Sequence, residues 1–336
     1  MRIAQIAPLE ESVPPKLHGR TERVVSYLTE ELVRLGHRVT LFASGDSETA
    51  AELVAAAPGA PLAPMLEQVR ARAHEFDVMH FHVEHVHLPL FRPLAHKTLT
   101  TLHGRLDPPE PAPLYREFAA MPLVSISDSQ RAPLGFAHWA GTVYHGLPSE
   151  VCPFNPAPRG DYFAFLGRVS PESGLERALD IAQRAGVRLR IAARIDAADE
   201  AYFHERIEPR LGEPGIDFVG EVDETGKPAF LGNATALLFP IEWPEPSGLA
   251  MIEALSCGTP VVAWPHGAAA EVVEHGLTGF HVQSVDAAVD TLERAARLDR
   301  SRVRRRFEER FSATRMAQDY LALYRALARK RALAAA

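Results

Sequence analysis

The chain has 336 residues, enough for two α/β domains rather than a single core. Its 46% hydrophobic and 24% charged residues describe an ordinary globular protein, and a net charge of −7 gives no basic footprint for nucleic acid. Cys152 and Cys257, in different predicted domains, make neither a disulfide framework nor a zinc pattern. No uncharged run reaches transmembrane length, and the opening apolar run is too short for a signal peptide. The expected setting is a reducing cytoplasm, extending at most to the inner face of a membrane.

Residues 2–7 are a short apolar run that suits a buried parallel strand. A loop rich in proline, glycine and charge follows at 8–20. Thr21 is placed to cap a helix, with Glu22 in its first turn; Val24, Leu28, Leu32 and Leu35 form the apolar stripe and Gly36 ends it. Residues 38–44 read as the next strand, and further strands are expected at 77–83, 97–102, 122–127 and 141–145. Residues 146–160 hold four prolines and two glycines and make the best linker. A second series of strands follows at 161–167, 187–193, 215–219, 235–240 and 259–263. Helices at 174–186, 199–211, 248–257 and 285–298 would connect them. Arg304-Arg305-Arg306 reads as the solvated face of a helix, with contact to anionic lipid as the alternative. A last helix, 311–333, aligns Met316, Tyr320, Leu323 and Leu327; it either covers the second domain or returns to the first.

Alternating strands and helices imply parallel sheets covered on both faces. The expected fold is α/β, with two doubly wound Rossmann-like domains, 1–147 and 161–310, joined by a linker at 148–160 and facing a central cleft. Ligands of open α/β sheets bind at the carboxyl ends of the strands, so the cleft is the expected site.

The segment Pro244 to Leu255 carries the most chemistry. Pro246 disfavours helix at Glu245 and leaves it in an extended turn. Ser247 is a candidate N-cap for a helix starting at Gly248. Free N–H groups of Gly248, Leu249 and Ala250 would then suit a diphosphate. Glu253 lies about 8 Å further along the axis at a rise of 1.5 Å per residue. Two acids flanking a phosphate-holding helix end can serve the ribose and the sugar of a nucleoside diphosphate sugar. The competing structural view makes Glu245 a loop charge and Glu253 a solvated helix residue.

Glu245 and Glu253 match a Glu-x7-Glu signature, and here the chain resembles the retaining family-4 glycosyltransferases of GT-B fold. Phe165 to Glu172, Cys257 to Ala263, Glu271 to Phe280 and Met1 to Ser44 are similar to further family segments, so the resemblance spans nearly the whole chain. It implies that Glu253 binds the ribose hydroxyls and that Glu245 lies by the transferred sugar. It also implies that amides at Gly248 and Leu249, beside Ser247 and Ala250, meet sugar hydroxyls and diphosphate. Arg168 matches a cation that neutralises the departing diphosphate. His103, in Thr101-Leu102-His103-Gly104, matches a histidine reaching the donor sugar from the first domain; a strand-end structural histidine is the alternative. Gly19, Arg20, Ser173 and Arg194 complete the expected donor-binding set. The resemblance further implies no protein nucleophile, no bound metal and no cofactor beyond a donor of UDP or GDP type. The chain has no Asp-x-Asp, which agrees. The acceptor is a hydroxyl on a glycan, a lipid-linked sugar or a small molecule, presented by loops near 8–20, 84–96 and 104–117.

Three positions depart from the family pattern. The loop before the first helix reads His18-Gly19-Arg20-Thr21 where two adjacent glycines are usual, Ser173 replaces a lysine, and Ser247 replaces an aromatic. Either Arg20 supplies the charge missing at Ser173, or donor binding is impaired and the protein is a nucleotide-binding partner or scaffold. A sugar-nucleotide hydrolase or phosphorylase on the same fold is a further alternative. His80, His82, His85 and His87 resemble a metal cluster, but only His80 and His82 share a strand face and no neighbouring Cys or Asp completes a set. Cleft-lining or structural histidines are expected instead. No Gly-x-Gly-x-x-Gly, Walker loop or Gly-x-Ser-x-Gly elbow is present.

Overall fold

Runs rich in Val, Ile, Leu, Ala and Phe form most of the central strands, as sheets covered on both faces require. A computed structural model describes residues 1–16 and 19–335, with side chains to residue 329. The chain forms two units, one of Met1–Leu147 and the segment from Ser312 onward, the other of Pro148–Phe311.

The first unit holds β1 (Arg2–Ile6), β2 (Arg38–Ser44), β3 (Glu52–Ala56), β4 (Val78–Phe81), β5 (Thr98–Thr101), β6 (Leu123–Ser125) and β7 (Trp139–Thr142). They pair in parallel in the order β3-β2-β1-β4-β5-β6-β7. The helix Arg20–Arg34 buries Val24, Leu28 and Leu32 against Ile3, Val78 and Leu99. The last helix, Ala313–Ala335, adds Met316, Ala317, Tyr320, Leu321 and Tyr324 to that same cluster.

The second unit holds β8 (Tyr162–Arg168), β9 (Arg188–Arg194), β10 (Ile216–Gly220), β11 (Leu237–Phe239), β12 (Val261–Ala263) and β13 (Gly279–His281), all parallel in the order β10-β9-β8-β11-β12-β13. The strand order reverses between β8 and β11, so the carboxyl ends of these strands form the unit's switch point.

Several expectations need correction. The first helix starts at Arg20 with Gly19 at the N-cap and no side-chain cap, so Thr21 lies inside it. The helix expected at 199–211 is broken into short turns, Glu200–Tyr202, Phe203–Ile207 and Glu208–Arg210, where Pro209 removes a backbone donor. Residues 148–160 pack onto the second unit, with the Asn155 N–H on Cys257 O at 3.0 Å and Ser256 Oγ on Cys152 O at 2.7 Å. Cys152 and Cys257 therefore share one unit. Arg304 is no solvated charge: its guanidinium donates to Ser256 O at 2.7 Å and Cys152 O at 3.1 Å.

Candidate functional site

The loop after β11 carries Glu245 to the start of the helix Leu249–Ser256. Its backbone is pinned by the facing loop: Ala268 N–H donates to Glu245 O at 2.7 Å. Gly267, at φ +62°, leaves no room for a Cβ, which would stand 2.4 Å from both Glu245 N and O. The Glu245 side chain is buried, and Oε1 accepts from Gly248 N–H at 3.1 Å and from Ser247 N–H and Oγ at 3.4 Å each.

This corrects two expectations. Gly248, not Ser247, is the N-cap residue, in a left-handed conformation with φ 67° and ψ 36° that suits glycine. The Gly248 amide is not free but held by Glu245. The amides of Leu249 and Ala250 remain, with no hydrogen-bond partner among the described residues.

Glu253 is 4% exposed, because the short helix that carries it is apolar all round, with Met251, Ile252, Ala254 and Leu255 buried. Its Oε1 meets Lys227 Nζ at 3.2 Å, and the same ammonium reaches Glu224 Oε1 at 2.6 Å. Burial pulls the Lys227 pKa down, but the two acids outweigh it and the net shift is upward. Sequence alone missed Lys227, which stands 26 residues before its partner with no pattern linking the two.

Arg168 and Arg194 are the last residues of β8 and β9 and pair in register. Asp196 joins them, with Arg194 Nε to Oδ1 at 2.7 Å, Arg194 Nη2 to Oδ2 at 3.1 Å and Arg168 Nη1 to Oδ2 at 3.4 Å. Trp243 lies against the Arg168 guanidinium at 5.5 Å. Two cations for one carboxylate leave a surplus positive charge at the strand ends. Ser173 offers none: its Oγ donates to Ser170 O at 2.7 Å and closes the turn Pro171–Ser173. Next to it, Gly174 at φ +79° sits so close to Pro240 O that a Cβ would stand 1.9 Å away. That contact holds the turn after β8 against the end of β11.

The second unit thus brings together Glu245, Ser247, Gly248, Leu249, Ala250 and Glu253 in one strand–turn–helix, and Arg168 with Arg194 in one ion cluster. Gly19, Arg20 and His103 belong to the first unit; His18 lies outside the described residues. Gly19 is packed so that a Cβ would meet Glu22 Oε2 at 2.5 Å. Glu22 is buried, and burial raises its pKa. Arg20 is the exposed first residue of its helix.

His103 has both ring nitrogens engaged, Nε2 with His82 Nδ1 at 2.9 Å and Nδ1 with His145 Nε2 at 3.3 Å. Burial holds its pKa down at about 3. Its N–H and that of Gly104 donate to Glu84 Oε1 at 2.9 and 3.1 Å, and Glu84 itself adopts φ 50°. Among the described residues, no three His, Cys, Asp or Glu are grouped to hold a metal, and no helix is long and apolar enough to cross a membrane.

Residues 154–311 match the family described as glycosyl transferases group 1. Over 203 residues, 54% of this chain, the sequence is 30% identical to a glycogen synthase of Mycobacterium tuberculosis; the match covers 48% of that protein, so the chain spans about half its length. Over 258 residues, 70% of this chain and 67% of the other, it is 27% identical to a GDP-mannose-dependent alpha-(1-6)-phosphatidylinositol dimannoside mannosyltransferase of the same organism. The fold is similar to the crystal structure of a glycosyltransferase involved in avilamycin A biosynthesis, with TM-score 0.76, 25% identity and 98% of each chain covered.

Proposed function

By residues 154–311 the chain belongs to the glycosyl transferases group 1, and from that premise we propose that it moves a sugar from a nucleoside diphosphate sugar of UDP or GDP type to a hydroxyl acceptor, with retention and without a bound metal. One observation carries this reading: two buried carboxylates, Glu245 and Glu253, flank a helix start whose Leu249 and Ala250 amides have no hydrogen-bond partner among the described residues. A buried acid is costly unless partnered. Glu245 is met by the Gly248 amide and Glu253 by Lys227, which keeps both in place for a ligand with hydroxyls at each end of a diphosphate.

In this reading Glu253 takes the ribose hydroxyls and Glu245 the transferred sugar. Leu249 and Ala250 hold the diphosphate, and Arg168 with Arg194 balances the charge that grows as it departs. The departing phosphate takes the acceptor's proton, so no protein nucleophile is needed. Gly19, Arg20 and His103 are proposed donor contacts by residue type and by the family resemblance. The GDP-mannose-dependent relative supports a GDP donor, and the acceptor class stays as broad as glycan, lipid-linked sugar or small molecule.

A second reading rests on Ser173, whose hydroxyl is spent inside its own turn. The missing charge leaves either compensation by Arg20 or a weakly binding relative. Calorimetric titration of UDP and GDP separates these readings. Glu253→Ala should lose affinity by about 100-fold or more while circular dichroism stays unchanged. Unchanged affinity in Glu253→Ala overturns the site. Arg20→Gly should weaken binding and Ser173→Lys strengthen it; if Arg20→Gly binds as well as wild type, compensation fails. Sugar found on an acceptor rather than in water distinguishes transfer from hydrolysis.

A further inference from the structure

The histidines of 80–87 have several fates. His85 is exposed, and His87 stacks on Phe81 and bonds Thr100 Oγ1 at 2.8 Å. His80 and His82 enter one hydrogen-bonded chain, buried except at half-buried His103. From one end it runs from His145 Nε2 to His103 Nδ1 at 3.3 Å, then from His103 Nε2 to His82 Nδ1 at 2.9 Å. It continues from His82 Nε2 to Gln5 Oε1 at 2.8 Å and from Gln5 Nε2 to Tyr324 OH at 3.1 Å. Tyr324 OH reaches His80 Nδ1 at 2.7 Å, His80 Nε2 reaches Thr101 Oγ1 at 2.8 Å, and Thr101 Oγ1 reaches Tyr320 OH at 2.9 Å.

Each bond needs one donor and one acceptor, so the chain has a single consistent direction at a time. With the Gln5 amide nitrogen toward Tyr324, His82 Nε2 must donate to Gln5 Oε1. His82 Nδ1 is then an acceptor, His103 Nε2 a donor, His103 Nδ1 an acceptor and His145 Nε2 a donor. Tyr324 OH donates to His80 Nδ1, and His80 Nε2 donates to Thr101. Among the described residues, the direction leaves over the lone pair of His145 Nδ1, a buried atom without a partner there. The opposite direction would put a buried orphan N–H there, in a ring already under the positive charges of Arg315 and Arg20, which is the costlier arrangement.

We propose that His82, His145, Gln5 and Tyr324 are positioning residues that hold the His103 ring in one tautomer and one orientation. The inference rests on the reading of His103 as a donor contact. Protonating His103 would set its Nδ1–H against the Nε2–H of His145, so the ring stays neutral, in line with its lowered pKa. Through Tyr324 and Tyr320 the ring is tied to the last helix, far along the chain from His103.

Two measurements test this on the full chain. In the ¹⁵N-histidine-labelled protein near neutral pH, His80, His82, His103 and His145 should all carry the proton on Nε2. A proton on Nδ1 of His103, or a mixture of tautomers, overturns the inference whatever the activity. Turnover of GDP-mannose and UDP-glucose is then compared for His145→Leu, His145→Gln, Tyr324→Phe and His103→Ala. His145→Leu and Tyr324→Phe should lower kcat about tenfold with donor KM within about twofold, and His145→Gln, which returns a donor near the lost Nε2, should recover most of the rate. Wild-type turnover in His145→Leu and Tyr324→Phe beside an inactive His103→Ala overturns the positioning role alone. Full activity in His103→Ala removes the donor-contact reading, and the ring spectra still decide whether the lock exists.

Discussion

At the scale of single residues, the acids of the site are shaped by glycines that touch them. Gly267 is one of these, since any Cβ there would press on the Glu245 backbone from a left-handed conformation. Gly276 is also left-handed, at φ +78°, but nothing stands within 4 Å of its missing Cβ. The two positions separate backbone strain from crowding. Gly276→Ala should cost about 1 kcal/mol from the φ penalty alone. Gly267→Ala should cost about 2–4 kcal/mol and also weaken donor binding, because Glu245 must shift to make room. Urea unfolding of both variants, with nucleotide titration of each, checks the difference. Equal losses would mean that the Glu245 backbone gives way freely.

At the scale of elements, carbonyls at the end of the helix Leu249–Ser256 are answered by arginines of the helix Arg300–Phe311. Arg304 donates to Ser256 O and Arg300 to Cys257 O at 3.4 Å, while Arg300 also ties in neighbouring segments through Gly232 O at 2.8 Å, Asn155 O at 2.9 Å and Ala234 O at 3.0 Å. Arg304→Ala should therefore destabilise the second unit by about 1–3 kcal/mol, whereas exposed Arg305→Ala should stay within about 0.5 kcal/mol. Chemical denaturation followed by tryptophan fluorescence reads this, since Trp243 and Trp264 both lie in that unit. Composition hides the distinction, because three adjacent arginines look alike until the partner carbonyls are known. The same limit explains the other misses. Strands such as β1, β2, β8 and β9 were legible because both their faces are buried and the residues say so. β3 was not, since Glu52–Ala56 is only half-buried at a sheet edge and is rich in alanine. Ser247 has the chemistry of a cap, yet the turn there needs a positive φ, which favours Gly248. Glu245 and Glu253 were legible as a pair, but the Lys227 that makes the burial of Glu253 tolerable lies on another helix.

At the scale of the whole molecule, the two units differ in what they bury. The first unit buries His80, His82, His87 and His145 and half-buries His103, and burial lowers the pKa of each. A folded-state pKa below the unfolded value means that the unfolded chain binds more protons between the two. The stability these rings allow is thus complete above about pH 6.5 and falls as pH drops, by about 1.4 kcal/mol per pH unit for each ring that stays neutral. Buried Glu22 and half-buried Glu84 have raised values and act in the opposite sense, but they are two against five. Hydrogen exchange should show β1–β7 losing protection between pH 7 and pH 5 well before β8–β13; equal loss in both sheets would contradict this. The first unit is also assembled from two separated stretches, and the later one supplies Tyr320 and Tyr324 to its core. On the ribosome, the stretch 148–311 emerges whole before residue 312 does. The unit encoded second is therefore the first able to finish folding, and the first-made sheet must wait, with Ile3, Val78 and Leu99 covered only by the helix Arg20–Arg34, until the helix from Ala313 brings Met316, Tyr320 and Tyr324.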